Sequence, residues 1–171
     1  MPETRGSLLV IDDEPQLRET LEELLAGEGY LVDSAANGEE GLSRLARRVY
    51  DLVLLDAVLP DQSGLDVLQK IRASNPALAV VMITAYGSVE RAVEAIRMGA
   101  TNYITKPWDN ERLLAEIATL VRQQKLTEEN RELKRTLKQR YAFSEIVGKS
   151  DAMRSEEHTS ELQSRGLISY A

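Results

Sequence analysis

Three short stretches of the sequence are apolar without interruption, and they constrain the fold more than any other feature. They cover residues 8–11, 52–55 and 80–83, and longer segments with helical periodicity lie between them. A strand with one face in water alternates apolar and polar residues, whereas a strand covered by helices on both faces is apolar throughout. The chain is therefore predicted to form a parallel sheet with helices packed on both sides.

The alternation of strand and helix continues to a fifth predicted strand. Asn37 followed by Glu40 predicts the N-terminal cap of a helix, and Pro15 suits a first helical turn. Five β–α units of this kind predict an α/β protein with an open, doubly wound sheet. The predicted strands are residues 8–11, 31–35, 52–55, 79–83 and 102–105, and the predicted helices are residues 15–26, 38–49, 64–73, 89–98 and one that begins near residue 109.

Composition and charge exclude several classes of protein. The 171 residues include no cysteine, which removes disulfide frameworks and thiolate metal sites, and 43% are apolar, which allows a buried core. Residues 1–124 hold 12 Lys and Arg against 20 Asp and Glu, and this acidic balance argues against direct binding of nucleic acid. No apolar run is long enough for a signal peptide or a membrane span, so we expect a cytoplasmic protein without membrane contact.

Polar residues follow four of the five predicted strands. Asp12 and Asp13 follow the first strand, Asp56 the third, Thr84 the fourth and Lys106 the fifth. Taken singly, these residues have ordinary explanations: a helix cap, a turn, a structural hydroxyl and a solvated lysine. Ligands bind at the carboxyl ends of the strands in this architecture, however, and three carboxylates at one edge repel each other unless a cation lies among them. Oxygen-only ligands suit Mg²⁺.

A carboxylate beside Mg²⁺, a lysine and a hydroxyl is equipped to accept a phosphoryl group. The metal and the lysine neutralise the oxygens of the transferring group while the carboxylate attacks in line. An aspartate is already ionised at neutral pH, so no general base is needed. This fits a chain whose single histidine is His158.

Two other functions compete with this interpretation. A Mg²⁺-dependent phosphohydrolase that forms an aspartyl phosphate usually has a second carboxylate two residues after the nucleophile, and Val58 stands at that position. A flavodoxin-like electron carrier would need a loop rich in Ser, Thr and Gly after the first strand, where this chain has Asp12-Asp13-Glu14. Both alternatives stay open on the residues alone.

The strand-end residues and several residues in the adjoining loops occur together in one known family. The set comprises Asp12, Asp13, Asp56, Pro60, Gly64, Thr84, Gly99, Ala100, Lys106 and Pro107. With this set, residues 6–124 resemble the receiver domain of two-component response regulators. The resemblance implies a flavodoxin-like (βα)5 fold in which five parallel strands follow the order 2-1-3-4-5.

The resemblance also assigns roles in phosphoryl transfer and metal binding. It implies that Asp56 is the phosphoacceptor, which takes its phosphoryl group from a phosphohistidine on a sensor histidine kinase. It implies that Asp13 binds Mg²⁺ directly, that Asp12 helps through a water molecule, and that the backbone carbonyl of Val58 is a further ligand beside Asp56.

A second group of roles concerns the response to phosphorylation. The resemblance implies that Lys106 contacts the phosphoryl oxygens, through a cis peptide to Pro107, and that Thr84 turns inward to meet them. It implies that Tyr103 moves with Thr84, so that the face formed by helix 4, strand 5 and helix 5 changes its partners. A buried Tyr103 without a switching role is the alternative. Pro60 and Gly64 are expected to be structural.

The last predicted helix continues beyond the domain, because no Gly or Pro occurs between residue 109 and about residue 140. Residues 125–141 are expected to form a linker helix. The spacing of a coiled coil, four, three and four residues, separates Leu126, Asn130, Leu133 and Leu137. Glu129 and Lys134 flank this row with opposite charges. We expect a homodimer through this helix and through the helix 4–strand 5–helix 5 face. A solvated helix whose leucines pack on another domain is the alternative.

Several segments resemble the NtrC-like subgroup of activators, which act on sigma-54 RNA polymerase: residues 84–87, 106–109 and 128–130. Residues 142–153 resemble the start of the ATPase domain that follows the receiver in that subgroup. Gly148-Lys149-Ser150 is not a phosphate-binding loop, because Phe143 stands where the loop requires glycine. The resemblance implies that DNA and RNA polymerase are contacted only through domains outside this chain.

The C-terminal segment is of a different kind. Residues 154–164 resemble the translation of a sequencing-adapter oligonucleotide and no protein family, and their composition is polar and without periodicity. We therefore expect residues 154–171 to be an artefactual, disordered tail on a gene that was cut within its ATPase domain, and we assign no role to His158.

Overall fold

The structure, a computed structural model, describes residues 3–85 and 87–152. Five parallel strands form one sheet in the order β2-β1-β3-β4-β5, and five helices alternate with them. The predicted fold class and strand order are confirmed. The elements are β1 (Ser7–Ile11), α1 (Pro15–Gly27), β2 (Leu31–Ala35), α2 (Gly38–Arg47), β3 (Leu52–Asp56), α3 (Gly64–Ser74), β4 (Ala79–Thr84), α4 (Val89–Arg97), β5 (Asn102–Thr105) and α5 (Asn110–Ala152).

The apolar runs supply both layers of the core, which explains why they are uninterrupted. Successive side chains of a strand point to opposite faces of the sheet. Alternate residues of β1, β3 and β4 therefore fall into two buried clusters. One cluster contains Leu9, Ile11, Val53, Leu55, Val80 and Met82 and packs against residues of α2, α3 and α4. The other contains Leu8, Val10, Leu52, Leu54, Val81 and Ile83 and packs against residues of α1 and α5.

Local sequence signals begin the helices where they were predicted. The Asn37 side chain accepts a hydrogen bond from the backbone N–H of Glu40 at 2.8 Å, and the Glu40 carboxylate accepts one from the N–H of Ala36 at 3.0 Å. The two bonds satisfy backbone donors at the first turn of α2. Pro15 is the first residue of α1, where its missing N–H is of no consequence.

Element ends differ from the prediction by one or two residues, except at the C-terminus. Helix α5 ends at Ala152 and not near residue 140. Residues up to Leu126 belong to one compact unit, whose part of α5 buries Leu113, Ile117 and Val121, and a second unit begins at Thr127. All side chains of residues 127–146 are exposed. The predicted tail, residues 154–171, lies outside the described residues.

Within the described residues, no helix has the length and apolar composition needed to cross a membrane.

Candidate functional site

Four strand ends bring the predicted site residues to one edge of the sheet. Asp56 is the last residue of β3, which lies between β1 and β4, and Asp12 directly follows β1. Thr84 ends β4, and its backbone carbonyl accepts a hydrogen bond from the N–H of Lys106 at 2.8 Å. Asp12, Asp56 and Thr84 are buried polar residues beside the aliphatic core.

The Lys106 ammonium group lies between the two buried carboxylates. Its Nζ is 3.1 Å from Asp12 Oδ2 and 3.3 Å from Asp56 Oδ2, and the lysine side chain is only 15% exposed. Glu14, an exposed residue, brings a carboxylate oxygen within 3.8 Å of the same Nζ. Glu14 was missed as a site residue, although it continues the acidic run after β1.

Backbone groups hold each carboxylate in place. The N–H of Val58 donates to Asp56 Oδ1 at 3.1 Å, and the N–H of Glu14 donates to Asp12 Oδ1 at 2.9 Å. Arg18 of α1 donates to the backbone carbonyl of Asp12 at 2.6 Å. The two backbone donors orient the carboxylates, and Arg18 holds the Asp12 backbone.

Burial and like charge perturb the acidity of the site. Burial and the neighbouring Asp12 charge together raise the pKa of Asp56 to about 6, against the opposing effects of the Val58 N–H and the Lys106 charge. Burial alone would lower the pKa of Lys106, but its hydrogen bonds and attraction to Asp12 and Asp56 raise it. One lysine therefore compensates only part of the negative charge.

The acidic cluster fits a divalent cation. Asp12, Asp13 and Asp56 each offer a carboxylate oxygen, and these oxygens lie within 4.8 Å of one another. Oxygen donors of this kind are those that Mg²⁺ takes in proteins. A cation there would relieve the repulsion that raises the pKa of Asp56.

The remaining predicted residues lie on β5, in the loops that follow β3 and β5, and at the start of α3. Tyr103 lies in β5, half-buried against the apolar cluster that α3 and α4 cover. Val58 and Pro60 lie in the loop between β3 and α3, with Val58 53% exposed. The Lys106–Pro107 peptide is cis. Gly64 begins α3 in contact with the end of β3, and its N–H donates to the Ala57 carbonyl at 2.8 Å.

A buried acidic cluster bridged by a lysine, at the carboxyl edge of a 2-1-3-4-5 sheet, defines a class of signalling domain. The family model of the response regulator receiver domain matches residues 8–118, and the chain belongs to that family. Among curated proteins, it is 41% identical over 123 residues to the transcriptional regulatory protein DltR of Streptococcus agalactiae, covering 72% of this chain and 55% of DltR. It is 44% identical over 119 residues to the response regulator protein PilR of Pseudomonas aeruginosa, covering 70% of this chain and 27% of PilR.

Solved structures give the same result. NtrX from Brucella abortus, crystallised with ATP, matches with a TM-score of 0.70 at 34% identity, over 76% of this chain and 30% of NtrX. A CheY-like receiver domain from Methanospirillum hungatei matches with a TM-score of 0.68 at 32% identity, over 71% of this chain and 97% of that domain. The chain thus spans about half or less of the curated relatives described above, but nearly all of a separate receiver domain.

Proposed function

We propose that this domain is a phosphorylation switch in which Asp56 accepts a phosphoryl group from a phosphohistidine of a sensor histidine kinase. The observation that carries the proposal is the Lys106 ammonium group, held within 3.3 Å of Asp56 and 3.1 Å of Asp12 in a buried pocket. In the transfer, a carboxylate oxygen of Asp56 forms a bond to phosphorus while the phosphorus–nitrogen bond of the phosphohistidine breaks. The electron pair of that bond leaves with the imidazole.

The residues of the pocket each contribute to this reaction. Asp56 is mainly ionised at neutral pH even with its pKa raised to about 6, so it is the nucleophile without a general base. Lys106 offers N–H donors to the phosphoryl oxygens. Asp12, Asp13, Asp56 and the Val58 carbonyl are the proposed holders of Mg²⁺. When bound, Mg²⁺ supplies positive charge to the oxygens of the transferring group.

The proposed output is a change at the face formed by α4, β5 and α5. Thr84 lies at the end of β4 beside the pocket, and Tyr103 lies on the neighbouring strand. We propose that Thr84 meets the phosphoryl group and that Tyr103 moves with it. Helix α4 exposes an apolar row at helical spacing, formed by Val89, Val93 and Ile96, that a partner can cover.

The wider role proposed for this receiver is control of a sigma-54-dependent transcriptional activator in the cytoplasm. In that role DNA and RNA polymerase are contacted through domains outside this chain. Residues 142–153, of which 142–152 are here part of α5, lead into an ATPase domain. The similarity to NtrX and PilR supports this placement. A separate phosphohydrolase activity is disfavoured, because Val58 occupies the position of the second carboxylate. Hydrolysis would be limited to the domain's own aspartyl phosphate.

Intact-mass measurement after incubation with acetyl phosphate tests the proposed function. We expect the mass of one phosphoryl group to be added in the presence of Mg²⁺ and nothing to be added in EDTA. Borohydride reduction followed by peptide mapping should then locate the modified carboxyl at Asp56. A folded, metal-binding protein that takes up no phosphoryl group, or takes it up elsewhere, would contradict the assignment.

We further propose that residues 126–137 of α5 dimerise as a parallel coiled coil with a second copy of the chain. Leu126, Leu133 and Leu137 are 58%, 62% and 64% exposed, which is unusual for a row of leucines with heptad spacing. Glu129 and Lys134 occupy flanking positions where opposite charges of two parallel helices meet.

Leu133→Asp is expected to weaken this dimer at least about tenfold, because a charge replaces a leucine of the seam. Sedimentation velocity over a concentration series measures the effect. Gln139→Asp, which introduces the same charge change on the opposite side of the helix, is the control. Equal sedimentation of the two variants and the parent chain would remove the coiled coil from the proposal.

A further inference from the structure

The loop between β3 and α3, residues 57–63, is closed at its base by an antiparallel backbone bridge. The N–H of Gly64 donates to the Ala57 carbonyl at 2.8 Å, and Val58 and Ser63 form an antiparallel bridge. The N–H of Val58 donates to Asp56 Oδ1 at 3.1 Å. The backbone at Val58 is therefore attached directly to the proposed phosphoacceptor.

The far end of the same loop is held by Asp61. Its Oδ1 accepts from the N–H of Gly38 at 2.9 Å, and its Oδ2 accepts from the N–H of Glu39 at 2.9 Å. These are the first two N–H groups of α2, which have no partners within the helix and carry the positive end of its dipole. One carboxylate thus attaches the loop to a helix 22 and 23 residues earlier in the chain.

Close packing beside this contact supports a defined geometry. Gly38 is buried, and a Cβ at that position would come within 2.7 Å of both Gln62 Nε2 and Val67 Cγ2. Lys70 Nζ donates to Gln62 Oε1 at 2.9 Å. The N-terminus of α2 and the loop are therefore in contact without space for a side chain between them. The two backbone hydrogen bonds also lower the pKa of Asp61 to about 2, so it is ionised wherever the domain operates.

We propose that Asp61 is a positioning residue for phosphoryl transfer: by attaching the 57–63 loop to α2, it sets the backbone of Val58 against Asp56 and the metal site. This inference rests on the proposed function and deepens it. Asp61 touches neither substrate nor metal. Its effect passes through the loop to the Val58 N–H, which orients Asp56, and to the Val58 carbonyl, the proposed metal ligand.

Asp61→Ala is the variant that tests the proposal, with Asp66→Ala as its matched control. Asp66 is also exposed, and its substitution removes the same charge near the same loop. The Ser63 side chain caps α3 by accepting from the backbone N–H of Asp66, and the substitution leaves this bond intact. Asp61→Asn keeps one acceptor oxygen of the same shape and should fall between the two. Calorimetric titration then measures Mg²⁺ affinity, and intact mass measures phosphoryl uptake at limiting and saturating Mg²⁺.

We expect Asp61→Ala to lose about tenfold in Mg²⁺ affinity. Loss of a residue that supports a metal ligand typically lowers metal affinity by about 10- to 100-fold, and this is the lower end of that range. Uptake should be slow at limiting Mg²⁺ and largely restored at saturation. In the metal-free protein, the amide resonances of Gly38, Glu39 and Val58 should shift in Asp61→Ala and not in Asp66→Ala. If Asp61 had a merely structural role, its substitution would lower the stability of the domain without changing the Val58 amide resonance or the Mg²⁺ affinity.

Two outcomes separate the failure of this proposal from failure of the proposed function. If the Val58 resonance and the Mg²⁺ affinity are unchanged in Asp61→Ala, Asp61 is not a positioning residue, whatever the rate of phosphoryl uptake. Shifted resonances and weakened affinity, with no phosphoryl uptake even by the parent chain, would retain the role of Asp61 at the metal site and reject the phosphoryl switch.

Discussion

Asp56→Asn is expected to abolish phosphoryl uptake while making the metal-free protein more stable. The amide cannot attack phosphorus as the carboxylate does, so uptake should fall to background. The gain in stability arises because Asp56 is buried beside the like charge of Asp12. An asparagine keeps the acceptor for the Val58 N–H and leaves Lys106 paired with Asp12.

The pH dependence of this gain follows from the direction of the pKa shift. The pKa of Asp56 rises from 3.8 to about 6 on folding, so folding favours the protonated carboxyl. The protonated Asp56 therefore stabilises the folded state fully below the unfolded pKa of 3.8, and this contribution is lost as pH rises through about 6. At neutral pH the ionised side chain then costs on the order of 2 kcal/mol, which the substitution removes. The advantage of the variant should therefore grow as pH rises from about 4 to about 6 and stay constant above that pH.

Urea unfolding in EDTA at pH 4.5 and 7.5 measures the predicted difference. Lys106→Met is the control of opposite sign: removing the cation leaves Asp12 and Asp56 uncompensated, with an expected loss on the order of 2 kcal/mol at pH 7.5. Adding Mg²⁺ should stabilise the parent chain more than Asp56→Asn, because Asp56 is a proposed ligand of the ion in the folded state. A metal-free Asp56→Asn protein less stable than the parent at pH 7.5 would contradict this account of the site.

The sequence was sufficient for the fold because its strongest signal is a local one. Each apolar run in β1, β3 and β4 supplies side chains to both clusters of the core, and a run of this kind is stable only between two layers of helices. The strand ends were less readily located. Asp56 and Thr84 were expected just beyond their strands, but the register pairs them with Ile83 and Thr105 inside the sheet. A polar residue at a strand end looks like the start of a loop until its neighbours are known.

The parts of the site that escaped prediction depend on long-range contacts. An aspartate after proline, as in Pro60-Asp61, is typical of a turn, and nothing local shows that Asp61 binds the N-terminus of α2. Glu14 follows the two aspartates after β1, but its distance to Lys106 depends on where the ends of β1 and β5 lie, and two other strands separate these in the sheet. Helix α5 continues past the predicted linker helix of residues 125–141, because that boundary rests on a resemblance to another domain and not on helical periodicity.

Gly64→Ala is expected to be among the most destabilising substitutions in the domain, with a loss of about 3 kcal/mol in the free energy of unfolding. Gly64 is buried where α3 begins against the end of β3. A Cβ there would overlap the backbone carbonyl oxygen of Asp56 and come within 2.7 Å of Ala57 Cα. Backbone atoms held in a central strand cannot rotate aside as a side chain can, so either the helix or the strand end must move.

Gly27→Ala is the matched control, because the same methyl group placed at the end of α1 has nothing within 4 Å. There we expect a gain of about 0.5 kcal/mol, since alanine loses less chain entropy on folding than glycine. Urea unfolding followed by circular dichroism compares the two. Gly64→Ala should also weaken Mg²⁺ binding in whatever remains folded, because the displaced backbone carries Ala57 and, next to it, Val58. Equal stability of the two variants would mean that the junction of β3 and α3 yields, and that the position of Asp56 is not fixed by this contact.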